Sequence, residues 1–230
     1  MDKKIDLCLL LILNCLFLFT STTNDNTLST SSPLIYYGDV NSNKIYLTFD
    51  DGYPYKNTKK LVETLIEYNI PATFFFEGDF LCNHKSFINY MVNNNLTIGC
   101  HTIDHKIISN KSNQQFLKDL NDYEKTYKEI TGKDLLPFFR PPQGKIDDEK
   151  IKLLKERGYL IFMWSLSYYD YNPYDELGVD YAYQYVTKNT EGGYIILLHT
   201  LTKSNVQALE RIIITLQNKG YIFSSLTDFL

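Results

Sequence analysis

The sequence predicts a single-domain α/β protein whose parallel strands and helical crossovers form an irregular or incomplete (β/α) barrel. Three observations carry this. Short apolar runs rich in β-branched and aromatic residues alternate with segments of helical periodicity, and repeated strand-then-helix units imply parallel strands with helices returning between them. The 230 residues, 44% of them hydrophobic, suit one such domain with an ample core. Finally, Asp50 and Asp51 stand where the first core strand runs out toward a helical stretch, the strand end at which α/β folds place their chemistry.

The domain is expected to start near Tyr36, after a Ser/Thr/Asn-rich arm at residues 24–35. Its first strand, near residues 45–49, alternates apolar and polar side chains before Asp50-Asp51-Gly52. Adjacent side chains on a strand face opposite ways, so both acids can serve one site only where the chain leaves the strand. Gly52 permits that bend. Residues 57–68 carry Leu61, Leu65 and Tyr68 at helical spacing, with Asn57 or Thr58 as a cap. A buried Phe-rich strand at 72–76 follows Pro71, then a helix at 86–94, a third strand at 96–100 and a long polar helix at 112–130. Phe138-Phe139 is a short strand entering Arg140-Pro141-Pro142. After it come a helix at 147–157, a strand at 159–164, a helix at 179–190, the most apolar strand at 193–198, an amphipathic helix at 203–219 and a last strand and turn over 221–230. Seven such units suit an incomplete barrel better than an open sheet, and no sequence repeat or second domain is evident.

Residues 7–19 form an apolar run behind Lys3 and Lys4, with small residues at 20–23 where a signal peptidase could cut. Residues 1–23 therefore read as a secretory signal. The run is short for a membrane span; an uncleaved anchor and a lipoprotein at Cys15 stand as alternatives. The formal charge of −4 is untouched by removing this segment, because Asp2 and Asp6 balance Lys3 and Lys4. Such a balance offers no basic face for nucleic acid. Of four cysteines, Cys82 and Cys100 would remain, and two buried thiols are expected rather than a disulfide.

The chemistry-bearing residues cluster at strand ends. His101 and His105 follow the third strand, four residues apart and so on one face of a helical turn; neutral imidazole is a common ligand for borderline metals. With only four histidines in the chain, such spacing favours a ligand pair over a loop with one capping and one surface histidine. Adding Asp51 makes a two-His, one-carboxylate set with open positions, which suits metal-activated water, although non-haem iron chemistry uses the same ligands. Asp50 would be left to take a proton.

Thr48-Phe49-Asp50-Asp51-Gly52, His101-Thr102-x-x-His105 and Arg140-Pro141-Pro142-Gln143-Gly144 together resemble the polysaccharide deacetylases of the NodB-homology type, carbohydrate esterase family four. The likeness runs in order from about Lys44 to the C-terminus. Phe139-Arg140-Pro141-Pro142, Met163-Trp164-Ser165-Leu166, Ile196-Leu197-Leu198-His199 and residues 204–209 are similar to the muramic acid de-N-acetylases of the delta-lactam pathway in spore-forming bacteria. The resemblance implies that Asp51, His101 and His105 hold a divalent metal, zinc first, with cobalt or manganese also accepted. It implies Asp50 as general base and Arg140 as the cation that keeps it ionised. The backbone N–H of Gln143 would stabilise the oxyanion, with Pro142 beside it. His199 would protonate the departing amine, Asp170 would keep it charged and oriented, and Leu198 would line the acetyl pocket.

Three positions depart from the family pattern: Gln143 replaces a frequent Tyr, Ser167 a frequent Asp, and Tyr171 a Trp that usually walls the acetyl pocket. Asp104 reads as a solvated loop acid and His84 as a surface residue at a helix start. Part of the tyrosine cluster, including Tyr168, Tyr169, Tyr174, Tyr181, Tyr183 and Tyr185, could floor a glycan groove, while most of it reads as half-buried packing. The resemblance implies a monomeric, exported enzyme acting on the peptidoglycan glycan strand, in cell wall or developing spore envelope, coupled in function to a muramoyl-alanine amidase. Two other functions fit the same residues: deacetylation of N-acetylglucosamine in peptidoglycan or of chitooligosaccharide, and non-catalytic glycan binding on the same fold.

Overall fold

The computed structural model describes residues 33–50 and 52–230. The predicted signal, the arm through residue 32 and Asp51 lie outside the described residues. Strand β2 (Lys44–Asp50) belongs to an eight-stranded parallel sheet, next to last in the strand order and paired with three neighbours. On one side follow β3 (Ala72–Phe76), β4 (Thr97–Cys100), β5 (Phe138–Phe139), β6 (Leu160–Phe162) and β1 (Leu34–Ile35). On the other lies β7 (Ile195–His199), while β8 (Ile222–Phe223) pairs with the start of β2. Between β1 and β7 only isolated bridges are found among the described residues, Tyr37 to Tyr194 and Leu166 to Ile196. The barrel is incomplete, as the sequence predicts.

The alternation of β2 decides where its carboxylate goes. Ile45, Leu47 and Phe49 pack with Leu61 and Leu65 of helix α1 (Tyr55–Glu67) and with later helices. Tyr46 faces the other way, into a cluster with Phe75, Phe138, Phe162 and Ile195. Side chains two apart share a face, so Thr48 and Asp50 follow Tyr46 into the barrel side. Strands covered on both faces carry near-continuous apolar runs, and β2 is buried from Ile45 onward. The helices α2 (Gly78–Asn83), α3 (Lys85–Asn93), α4 (Asn113–Thr131), α5 (Asp148–Glu156), α6 (Val179–Asn189) and α7 (Lys203–Asn218) complete the chain.

Local signals explain most boundaries. Ser112 accepts from the N–H of Gln115 at 3.2 Å and Asp147 from that of Lys150 at 2.8 Å, capping α4 and α5. Gly132 ends α4 in the left-handed conformation. Other boundaries depart from the expectation. The arm gives up Leu34 and Ile35 to a strand whose only signal is its partner β6, and the short helix α2 had no periodicity to announce it. Neither Asn57 nor Thr58 caps α1, which begins at Tyr55. Thr58 instead donates to the carbonyl of Gly52 at 2.6 Å and meets the Thr200 hydroxyl at 2.9 Å. Gly52 is needed for room as much as for a bend, since a Cβ there would run into the Phe80 ring. Strand β6 stops at Phe162 because the carbonyls of Phe162 and Met163 turn to a side chain described below.

Both cysteines are free; Cys100 is buried as expected, but Cys82 is exposed on α2. Burial pushes the Cys100 thiol up to about 12, so it stays protonated and unreactive at neutral pH. Among the described residues, no helix is long and apolar enough to cross a membrane. In protein beginning at residue 33, a thiol reagent at pH 8 is expected to label Cys82 within the native state and Cys100 only after denaturation, giving one equivalent and then two by mass spectrometry.

Candidate active site

Asp50 ends β2, and Arg140, just past the end of β5 three strands away in the sheet, reaches across to meet it. The guanidinium is fully buried, and charge without water must be matched by acceptors. Its Nη1 donates to Asp50 Oδ1 at 2.8 Å and to Thr48 Oγ1 at 2.9 Å; Nε reaches the Phe162 carbonyl at 3.2 Å and Nη2 that of Met163 at 2.9 Å. The Phe75 ring lies 4.2 Å beneath it. Burial pushes the Asp50 carboxyl up, yet the positive charge of Arg140, with His101 and His199, holds it below the ordinary carboxylate value.

His101 is buried at the end of β4, and its Nδ1 meets the Arg140 carbonyl at 2.8 Å. A carbonyl only accepts, so Nδ1 carries the proton and Nε2 keeps its lone pair, 3.8 Å from Asp50 Oδ2. Burial lowers the imidazole to about 4 despite Asp50, leaving it neutral. The His105 ring centroid is 5.0 Å from that of His101. A loop, not the expected helical turn, brings them together: Thr102 and His105 hold φ values of 72° and 54°, and the His105 N–H donates to Thr102 Oγ1 at 3.2 Å. Two imidazoles side by side, His101 neutral and with its lone pair turned toward a buried carboxylate, fit a borderline divalent cation. Asp51, third of the expected ligands, lies outside the described residues. Among the described residues no group of three or more His, Cys, Asp or Glu is arranged to hold a metal ion.

Asp104 is not the solvated acid expected. It is half-buried between Lys111 at 2.6 Å and Lys106 at 3.0 Å. Burial pushes its carboxyl up, but those ammonium groups bring it down to about 2. Lys111 also grips Asp119 at 2.7 Å, tying the histidine loop to α4. His84 is half-buried, stacked on Tyr55 at 4.3 Å between centroids.

His199 ends β7 as the register partner of Asp50. Its Nδ1 lies 2.7 Å from Asp170 Oδ1, and its backbone N–H donates to Asp170 Oδ2 at 2.8 Å. These groups open on a cleft of about 610 Å³ whose walls include Gln143, Lys145, Trp164, Tyr171 and Leu197. Leu198 does not line it. Strand alternation turns Leu198 into the core under the helices, while Leu197 shares the face of His199 and reaches the cleft. Pro142, also expected at the substrate, is buried and does not line the cleft. Gln143 sits in the left-handed conformation, φ 58°, and Gly144 beside it leaves space that a Cβ would take from Trp164, 2.9 Å away. Tyr171 is exposed, its ring 5.9 Å from that of His199. Of the tyrosine cluster, only Tyr168 and Tyr171 face the cleft; Tyr181 and Tyr185 pack against Tyr168, Tyr183 lies under Arg211, and Tyr174 is 96% exposed. Sequence reasoning assigned no role to Asn205, whose amide joins Asp170 at 2.6 Å.

The sequence pattern of polysaccharide deacetylases matches residues 37–162, from before β2 through β6. The chain belongs to this family. Similarity extends beyond that stretch. The peptidoglycan-N-acetylmuramic acid deacetylase PdaA of Bacillus subtilis is 32% identical over 89% of this chain and 78% of its own. A peptidoglycan-N-acetylglucosamine deacetylase of Bacillus cereus is 32% identical over 83% of this chain and 89% of its own. The solved structure of Bacillus subtilis PdaA, a family 4 carbohydrate esterase, superimposes with a TM-score of 0.81 at 32% identity, covering 85% of this chain and 84% of that one.

The deacetylase is thus a hydrolase of amide bonds with the NodB-type barrel, and Asp50 and His199 stand at neighbouring strand ends of it. Removing one partner of a buried ion pair leaves an uncompensated charge, at a cost of about 3–5 kcal/mol. Arg140→Met is therefore expected to lower unfolding stability by about that amount in urea titrations at pH 7, with Asp50→Asn in the same background recovering part of it. The folded Asp50 carboxyl is lowered, so its contribution is complete above about pH 4 and fades as pH falls through the folded value. Asp50→Asn is expected to flatten that acid-side loss.

Proposed function

We propose that this deacetylase removes the acetyl group from N-acetylmuramic acid in peptidoglycan, as an exported, metal-dependent enzyme acting in the cell wall or developing spore envelope on the route to muramic delta-lactam. The observation that carries the reaction is the placing of Asp50 and His199 as strand neighbours, one ionised beside a buried guanidinium and the other bonded to a buried carboxylate. Asp51, His101 and His105 would hold a divalent cation, zinc in the first place, which would supply polarisation of the acetyl carbonyl and a lowered pKa for water.

Asp50 takes the proton from the attacking water, and Arg140 keeps the carboxylate aimed and ionised beforehand. The backbone N–H of Gln143 is the proposed donor to the tetrahedral oxyanion. As the C–N bond breaks, the nitrogen takes its pair and receives a proton from His199, giving acetate and a free amine. Leu197 offers an apolar wall to the acetyl methyl. Asp50→Asn and His199→Ala are each expected to reduce acetate release from acetylated muropeptides by at least about 100-fold, and wild-type rates in either variant would remove this mechanism.

Lys145 supports muramic acid as the sugar. Among the described residues it is the one Lys or Arg lining the cleft, and its Nζ bonds the neutral Gln143 amide at 3.1 Å. The turn over Pro142–Gly144 tethers it five residues from Arg140. Muramic acid carries a lactyl carboxylate on the carbon next to its acetamido group; N-acetylglucosamine carries no anion there. Lys145→Glu is expected to lower kcat/KM about ten-fold on muramic acid with a free lactyl group, the value of one screened charge contact, and to leave glucosamine substrates unchanged. Mass spectrometry of digested glycan reads both sugars at once, and acetyl loss from glucosamine alone would move the substrate to that sugar.

A further inference from the structure

We propose that Asn205 is a positioning residue for amide hydrolysis, fixing the His199–Asp170 pair, and that Tyr168 holds it in place from the cleft wall. Asn205 sits in the first turn of α7 and is fully buried. Its Nδ2 donates to Asp170 Oδ2 at 2.6 Å and to the His199 carbonyl at 2.9 Å, and its Oδ1 accepts from the Tyr168 hydroxyl at 2.6 Å. Both amide protons and the amide oxygen are used. An ionised carboxylate can only accept, so the amide can face Asp170 in one sense alone.

The amide thus ties the loop at residue 170 to the end of β7 and the start of α7, which lie about thirty residues further along the chain. Asp170 Oδ2 receives both the His199 N–H and Asn205, which sets the carboxylate plane and leaves Oδ1 for His199 Nδ1. That bond puts the ring's exchangeable proton on Nε2, the atom through which His199 can serve the cleft. A buried polar network of this kind is stable only when each member is satisfied, and Tyr168 closes it. Burial, with the Asp170 charge, raises the Tyr168 phenol, so the hydroxyl remains a donor. The inference rests on the proposed role of His199 as the acid.

The test compares Asn205→Ala, the near-isosteric Asn205→Asp and Tyr168→Phe with wild type in four readouts: kcat, KM, the alkaline limb of the kcat–pH profile and the Nδ1–H signal of His199 by NMR of the free protein. Asn205→Ala is expected to lower kcat about 10- to 100-fold with KM nearly unchanged. A loosened Asp170 stabilises the imidazolium less, so the alkaline limb moves to lower pH and the Nδ1–H signal weakens. Asn205→Asp, which replaces both donors with an acid facing Asp170, is expected to be at least as slow at neutral pH. Tyr168→Phe moves each readout in the same direction by less. Wild-type kcat and alkaline limb in Asn205→Ala would overturn the proposal, as would losses that track thermal stability while limb and Nδ1–H stay put. If Asn205→Ala does not fold, Tyr168→Phe decides by the same readouts. Wild type without activity on any acetylated sugar would instead defeat His199's role, while the NMR signal still reports the geometry.

Discussion

The buried contact between Arg140 and Asp50 is the constraint on which the rest of this structure depends. A guanidinium without access to water is tolerated only where acceptors surround it in its own plane, and here they come from β2, from β6 and from the residue after it. The contact therefore shapes the fold as well as the site. It ends β6 early by drawing the Phe162 and Met163 carbonyls out of the ladder, and the same Arg140 contributes its own carbonyl to orient His101. One residue sets the ionisation of Asp50, the proposed base, and the tautomer of His101, a proposed metal ligand.

The two sides of the cleft are held by different physics. Asp50 is fixed by opposite charge in a dry environment, which suits a group that must enter the reaction ionised. His199 is fixed through a carboxylate that is itself held by neutral amide donors, which suits a group that must carry a proton and then give it up. Strand register supplies the rest: parallel pairing of β2 with β7 sets the two residues side by side, and Thr200, just after His199, bonds back to Tyr53 and Thr58 beyond Asp50.

What could be read in the sequence followed from periodicity and from residue types that rarely occur by accident. The core strands of β2 and β3, the helices α1, α4, α5 and α7, and the convergence of Asp50, His101, His105, Arg140, Asp170 and His199 were all legible in this way. The failures have physical causes. Leu34-Ile35 becomes a strand only because β6 offers partners, and tertiary pairing leaves no local trace. The strand at 193–198 shifted to Ile195–His199 because Gly193 takes a left-handed turn, φ 77°. Leu198 was assigned to the acetyl pocket although strand alternation from His199 already pointed to Leu197. Asn205 and Tyr168 look like ordinary helix and loop residues, since nothing in the sequence reveals that the loop carrying Tyr168 and Asp170 lies against the start of α7. Asp104 looked solvated because Lys111, which grips it, is seven residues away.

The histidine loop has a consequence for the cation. Left-handed backbone at Thr102 and His105 is unfavourable for residues with a Cβ, by about 1–3 kcal/mol each, and the Asp104–Lys111–Asp119 clamp offsets it from outside the ligand set. Folding has already absorbed the tension before any ion arrives. Were His101 and His105 to hold a cation as proposed, its affinity would depend on how tightly a lysine outside the ligand set grips its two aspartates, and ionic strength would become a remote control on metal loading.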